Sequence, residues 1–230
     1  HLNYFKNKYN HIDNQPVITG PLIFANTINS SSRITRENFK INNDDIAILH
    51  AVVMKSRYGT RYYFIETMDE YISGLTDIMN YLRDKNNFKL ILRLHPGCEI
   101  TNDELLSLLP KNDNCIINRT GSFESVLSIA DLVISYSSTC IDEAILNNIP
   151  VLLYDKWNRY NHFKTEVYSR TDSKDIFPVC YCNDSKKIGN AIEYMVKKCG
   201  STKIEAINMS RYKYSQDYSE NFYKFVNEAL

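Results

Sequence analysis

Glycine is scarce in this sequence, seven residues in 230, and none of the seven sits in a loop built to cradle phosphate. There is no G-x-x-x-x-G-K-[ST] and no G-x-G-x-x-G after an apolar strand. This disfavours ATP hydrolysis and nicotinamide chemistry, whose glycine loops let the backbone approach phosphates. No D-x-D stands at a strand end and no C-x-x-C pair occurs, so neither a metal-dependent transfer site nor a zinc site is indicated. No cofactor and no metal are expected. No apolar run approaches the ~18 residues of a membrane span. The basic residues near the N-terminus are not followed by a signal-peptide core. Charge excess is lacking too. The 27 basic and 27 acidic side chains give none of the surplus a nucleic-acid footprint needs, and no nucleic-acid partner is expected.

The six cysteines, Cys98, Cys115, Cys140, Cys180, Cys182 and Cys199, are read as free thiols. That places the chain in a reducing cytoplasm, free or peripheral at the inner face of the plasma membrane. Hydrophobic content of 43% and charged content of 23% are those of an ordinary globular protein.

Residues 1–43 show no sustained period and are rich in Asn, Ser and Thr. They read as a linker or the tail of an upstream domain. The start at His1-Leu2-Asn3-Tyr4 reads as the interior of a longer chain. Residues 44–200 form the expected α/β domain. Ile46 to Val53 is a nearly continuous apolar run, the pattern of a strand buried on both faces. Thr67 with Glu70, and Thr101 with Glu104, have capping-box spacing. The first box opens a helix to about Asp84 that buries Tyr71, Leu75, Ile78, Met79 and Leu82. Further strands are expected at Lys89–Leu94, Cys115–Ile117, Leu132–Ser135, Val151–Tyr154 and Phe177–Cys182, with helices between them. Helices at about 185–199 and 203–229 close the chain. Residues 201–230 carry an aromatic stripe expected to pack back toward an upstream domain. The alternation predicts a Rossmann-like, doubly wound parallel sheet of about six strands. Such sheets bind ligands beyond the carboxyl ends of their strands, where the strand order reverses.

The chemistry-bearing residues fall at those ends. Arg93-Leu94-His95-Pro96 puts an imidazole just past a strand, able to donate to a phosphate oxygen or protonate a leaving phosphate. A structural role for His95 remains open. Ser137, Ser138 and Thr139 present three hydroxyls at a helix start, where free N–H groups favour anions. The alternative is that Ser138 or Thr139 only caps the helix. Glu143, one turn on, has the chemistry to accept both hydroxyls of a ribose, or interacts only with the helix dipole. Lys55 and Arg57 belong to a loop that either covers a diphosphate or is a solvated basic face. Asp155 and Trp157 belong to a polar-aromatic loop facing a sugar or acceptor, with loop anchoring as the alternative for Trp157. Arg119 follows the third strand and is assigned to a base or phosphate.

Taken in order, Arg93-Leu94-His95-Pro96, Ala130 to Thr139, Asp142-Glu143-Ala144 and Ile149-Pro150-Val151 resemble the C-terminal, donor-binding domain of GT-B glycosyltransferases. The branch most similar is the bacterial surface-polysaccharide type, with the HP and paired Ser/Thr motifs of sialyl-, Kdo- and CDP-glycerol transferases. The resemblance spans about residues 44–200 and implies that His95 is catalytic and contacts the donor phosphate. Arg93, Ser137, Ser138 and Thr139 would bind the phosphate as well, and Glu143 the ribose. It implies a CMP- or CDP-linked nucleotide-sugar donor, a glycan or lipid-linked acceptor, and a role in capsule synthesis. It also implies an N-terminal acceptor domain of the same protein, which this sequence lacks and which supplies the catalytic base. This domain alone is then expected to be inactive. Two other readings stay open: an enzyme like the UDP-sugar 2-epimerases, which share the fold, and a non-catalytic nucleotide-binding module.

Overall fold

A computed structural model describes residues 34–51, 67–159, 163, 165–168 and 177–197, together with 223, 224, 226 and 227. Six strands, β1 (Ile46–Ala51), β2 (Phe88–Arg93), β3 (Cys115–Asn118), β4 (Leu132–Ser135), β5 (Val151–Tyr154) and β6 (Val179–Cys182), form one sheet. Every pairing is parallel and the order is β3-β2-β1-β4-β5-β6. The expected α/β class, parallel pairing and strand count are therefore all present. The helices are α1 (Met68–Leu82), α2 (Asn102–Leu108), α3 (Phe123–Leu127), α4 (Cys140–Leu146) and α5 (Ile188–Met195).

Local sequence explains each element. Ala47, Ile48 and Leu49 of β1, and Leu132, Val133 and Ile134 of β4, have no exposed surface, because helices cover both faces of a parallel sheet. Each such Ile, Leu or Val contributes about 1.5–3 kcal/mol by leaving water. The five residues expected on the buried side of α1 are its buried set. Both capping boxes close, with Thr67 accepting from the Glu70 N–H and Thr101 from the Glu104 N–H. Ser122 caps α3 through the Ser125 N–H. After α4 the chain turns through Asn148, whose φ of 60° is a conformation asparagine tolerates well. Helices α1 and α5 lie against each other: a side chain at Gly189 would meet the Tyr81 ring at 2.3 Å, so only glycine allows this approach. Tyr81 and Lys85 both donate to the Glu193 carboxylate across the contact. At the β6 edge, Tyr168 donates to Tyr181 and the Tyr181 N–H to Glu166, adding a short stretch of parallel pairing.

Two boundaries differ from expectation. Residues placed in a linker before residue 44 belong to the packed body: a 3-10 turn, Arg36–Phe39, precedes Ile41, which is only 3% exposed. The physical reason is Arg36, which donates to Asp131 at 2.5 Å and to the carbonyls of Asp45 and Ile129. Helix α5 begins at Ile188, because Asp184 first ties down a turn through the Lys186 and Lys187 N–H groups. Of the expected final helix only 223, 224, 226 and 227 are described, and these are helical. Five cysteines are free thiols. Burial pushes Cys115 up to about 12 and Cys140 and Cys182 up to about 11, so these thiols stay protonated and unreactive at neutral pH. Among the described residues no helix is long and apolar enough to cross a membrane.

Asp131 joins the N-terminal turn to the sheet, since its Oδ2 also accepts the Ala47 N–H at 2.7 Å. Asp131→Ala leaves that strand-opening N–H and Arg36 without their shared acceptor. The pair is partly exposed, 23% and 36%, so the expected loss is about 1–2 kcal/mol, read as a lower urea midpoint with an unchanged slope.

Candidate functional site

Strand order reverses between β1 and β4. The connection from β3 to β4 passes back across β1 and β2, and the elements that follow diverge from those before it. The carboxyl ends of β1 and β4 therefore face a crevice that no crossover fills. Buried polar side chains mark this edge. Five of the described ones are His50, Arg93, Asn118, Ser135 and Asp155, which close or directly follow β1 to β5. The amino ends carry none of the six described in all, the other being Ser125 in α3.

On the β2 side, Leu94 leads into a turn from His95 to Cys98, closed by the Cys98 N–H donating to the His95 carbonyl at 2.8 Å. Within it the Gly97 N–H donates to His95 Nδ1 at 3.0 Å. An imidazole nitrogen that accepts carries no proton, so the neutral ring holds its proton on Nε2. His95 is exposed, and that Nε2–H has no described partner.

Two arginines brace the neighbouring loops reciprocally. Arg93, 8% exposed at the end of β2, donates to Asn118 Oδ1 at 2.8 Å and to the carbonyls of Thr120 and Gly121 at 3.0 and 2.6 Å. It thus holds the loop after β3. Gly121 has φ 75°, and this conformation, which a side chain would strain, turns its carbonyl to Arg93. Arg119, just after β3, reaches the opposite way. Its Nε donates to Asn102 Oδ1 at 2.7 Å and its terminal nitrogens to the carbonyls of Cys98 and Ile100. Both guanidinium groups were expected at a phosphate or base, and the structure directs both into the protein. Burial lowers the Arg93 pKa, partly opposed by the Cys140 sulfur when it is ionised.

On the β4 side, Tyr136 is buried while Ser137 and Ser138 are half-buried and Thr139 is exposed. Ser138 Oγ accepts the Cys140 N–H at 3.2 Å, and the Ser138 side chain also bonds the Cys140 sulfur, which partly opposes the rise that burial gives that thiol. Thr139 makes no side-chain cap. Neither Ser137 nor Thr139 has a described side-chain partner. Glu143 lies one turn into α4, half-buried, and no described group donates to its carboxylate. Burial pushes its pKa up, and the nearby Glu124 and Asp142 charges add to this.

On the β5 side, a cleft is lined by His50, Tyr71, Tyr136, Tyr154, Asp155 and Trp157. Its outer wall is tied to α1. Lys156 donates to Asp77 and Ser73 at 2.6 and 2.8 Å, and Tyr154 to Asp77 at 2.7 Å. Arg159 grips Glu70 with two bonds of 3.0 and 2.6 Å. Trp157 is 38% exposed, between the Lys156 and Arg159 cations at 5.4 and 5.7 Å. Lys55 and Arg57 lie outside the described residues. His50, Tyr71 and Tyr136 were not among the expected site residues. The available signals were a histidine interrupting an otherwise apolar strand run, His50, and an aromatic residue just past one, Tyr136. Tyr71 reads only as helix core. Among the described residues no three His, Cys, Asp or Glu side chains converge on a point that could hold a metal.

No family model and no curated protein matches the chain. Solved structures do. MnaA of S. aureus, solved with UDP, matches with a TM-score of 0.61 at 12% identity, over 97% of this chain and 57% of that one. The UDP-GlcNAc 2-epimerase of Methanocaldococcus jannaschii, in complex with UDP-GlcNAc and UDP, matches at 0.54 and 16% identity, over 84% of this chain and 48% of that one. CalG4, the calicheamicin glycosyltransferase, matches at 0.55 and 12%, over 95% of this chain and 48% of that one. The likeness is one of fold, and the chain spans about half the length of these structures.

Trp157 is the sole tryptophan, so its fluorescence reports the tie to α1. Arg159, with the Thr67 N–H, holds Glu70 down to about 2 from its ordinary 4.5. A carboxylate so lowered stabilises the fold above its unfolded pKa and loses that contribution as pH falls toward 2. Trp157 emission should be flat from neutral pH down to 4.5 and red-shift only below. Arg159→Met should produce the shift at neutral pH for a stability loss of about 1 kcal/mol or less. An unshifted spectrum would mean that packing alone holds the loop.

Proposed function

We propose that this chain is the donor-binding half of a glycosyltransferase, or polyol-phosphate transferase, that uses a nucleotide-activated sugar. The observation that carries this reading is Glu143. No described residue donates to this half-buried carboxylate, and burial together with the Glu124 and Asp142 charges raises its pKa, so a ligand bringing donors would stabilise its charged form. It stands beside the crevice where doubly wound sheets bind ligands. The two vicinal hydroxyls of a ribose supply the missing donors. The Ser137 and Ser138 hydroxyls and the His95 Nε2–H, all neutral donors, take the phosphates. The ends of β2 and β4 flank β1, about 10 Å apart at the usual strand spacing, a gap that a nucleotide with its sugar spans.

His95 donates its Nε2–H to the departing phosphate and stabilises the charge there while keeping the proton, work that preorganised donors perform without reorganisation as charge develops. Asp155 and Trp157 meet the sugar or the acceptor, and Lys55 and Arg57 belong to the loop over the donor. The donor is CMP- or CDP-linked, the acceptor a glycan or lipid-linked glycan, and the setting cytoplasmic synthesis of bacterial surface polysaccharide. A second domain of the same protein completes the enzyme, in keeping with a chain that spans half of its structural neighbours. The second reading, a UDP-sugar 2-epimerase, draws on epimerases sharing the fold, and the nucleotide base separates the two.

Calorimetry with CMP, CDP and UDP tests the assignment. Cytidine nucleotides should bind more tightly, preference for UDP would favour the epimerase reading, and binding of none would leave a non-catalytic module. His95→Ala should weaken CDP about tenfold while leaving cytidine unchanged, the scale of one hydrogen bond to a charged group. Glu143→Gln should remove the preference for ribose over 2′-deoxyribose nucleotides, itself about tenfold. It should also raise the melting temperature of the ligand-free protein at pH 7. A carboxyl with a raised folded pKa favours the fold below its unfolded pKa and loses that contribution as pH rises through the folded value. The gain should therefore vanish in acid. A destabilised Glu143→Gln would show that the carboxylate has a structural partner.

A further inference from the structure

We infer that Arg119 is a positioning residue for His95, setting which ring nitrogen carries the proton through the turn it holds. The inference rests on the reading that the His95 Nε2–H donates to the donor phosphate.

The bonds form one chain. Arg119 donates to the carbonyl of Cys98 at 3.2 Å and to that of Ile100, and its Nε fixes on Asn102 at 2.7 Å. Cys98 and Ile100 are buried residues, at 7% and 9% exposure, and Arg119 meets their carbonyls in partly buried bonds, where an unpaired carbonyl would cost free energy. The held Cys98 donates its N–H to the His95 carbonyl, which closes the turn. The closed turn aims the Gly97 N–H at Nδ1. With Nδ1 occupied as an acceptor, the neutral ring places its proton on Nε2, the nitrogen farthest from the backbone.

The sheet supplies only the near end of this turn, through the Leu94 N–H donating to the Asn118 carbonyl at 3.1 Å. Pro96 donates no backbone hydrogen bond. The far end is held by Arg119 and by the Thr101 cap of α2. Arg119 also has a geometry that lysine cannot copy: three nitrogens of one planar fork meet three acceptors at once.

The test uses the full chain. At about pH 9, where an ordinary imidazole is neutral, the nitrogen NMR shifts of His95 should show a single tautomer with Nδ1 unprotonated. In Arg119→Lys the two tautomers should mix. The Kd for CDP should rise about fivefold, while that for cytidine stays within about twofold, since one neutral hydrogen bond is affected. Asn102→Ala removes only the Nε partner and should mix the tautomers partially, which keeps the idea testable if Arg119→Lys does not fold. A folded variant that keeps one tautomer and an unchanged CDP-to-cytidine ratio would overturn the inference. Failure of His95→Ala to weaken CDP would instead overturn the phosphate reading, because the tautomer is measured without nucleotide.

Discussion

Parallel strands cannot be joined by tight turns, because each connection must return the chain to the starting end of the sheet. Most of what matters here follows from that constraint. It brings all six strand exits to one edge and all strand entries to the other. It also requires helices on both faces, which makes the strand interiors apolar and expels polar residues to the ends. Hence His50, Arg93, Asn118, Ser135 and Asp155 are buried polar groups near five successive strand exits. The reversal of order between β1 and β4 then opens that polar edge at one point. A ligand site there needs no specialised loop, which is consistent with a chain so poor in glycine.

Much of the fold was legible in the sequence because its determinants are local. The apolar runs of β4 and β5 coincide with the observed strands, and the period of α1 named its buried residues. Capping boxes are four-residue signals and both close as read. What could not be read was long range. Nothing near Arg36 in the sequence announces Asp131, 95 positions away, so the body's beginning was placed too late.

The site shows the same division more sharply. Residue type told correctly that His95, Ser137 and Glu143 stand at strand exits or one turn beyond. It could not tell which groups at that edge have partners. Arg93 and Arg119 sit where phosphate ligands would, but each is turned onto the other's loop. The distinction depends on a backbone carbonyl pointing inward, and carbonyl direction has no residue-type signature. For Arg93 the turn at Gly121 decides it, since a positive φ brings the Gly121 carbonyl within 2.6 Å of the guanidinium.

The described cations at this edge are thus committed inside the protein: Arg93 and Arg119 to carbonyls and amides, Lys156 to Asp77, Arg159 to Glu70. The groups left outward are neutral or acidic, namely the His95 Nε2–H, the Ser137 hydroxyl and the Glu143 carboxylate. This allocation has a physical logic. An arginine facing carbonyls fixes loop geometry whether or not a ligand is present, so the loops after β2 and β3 are held before anything binds. Neutral donors on rigid loops select by direction and distance, whereas free cations would attract any anion. The exception is Glu143, which the fold leaves half-buried beside two other acids with no donor among the described residues. An uncompensated carboxylate costs stability in the empty protein. That cost is offset by a partner that brings its own hydrogen-bond donors, so a group that weakens the empty fold also narrows what the crevice accepts.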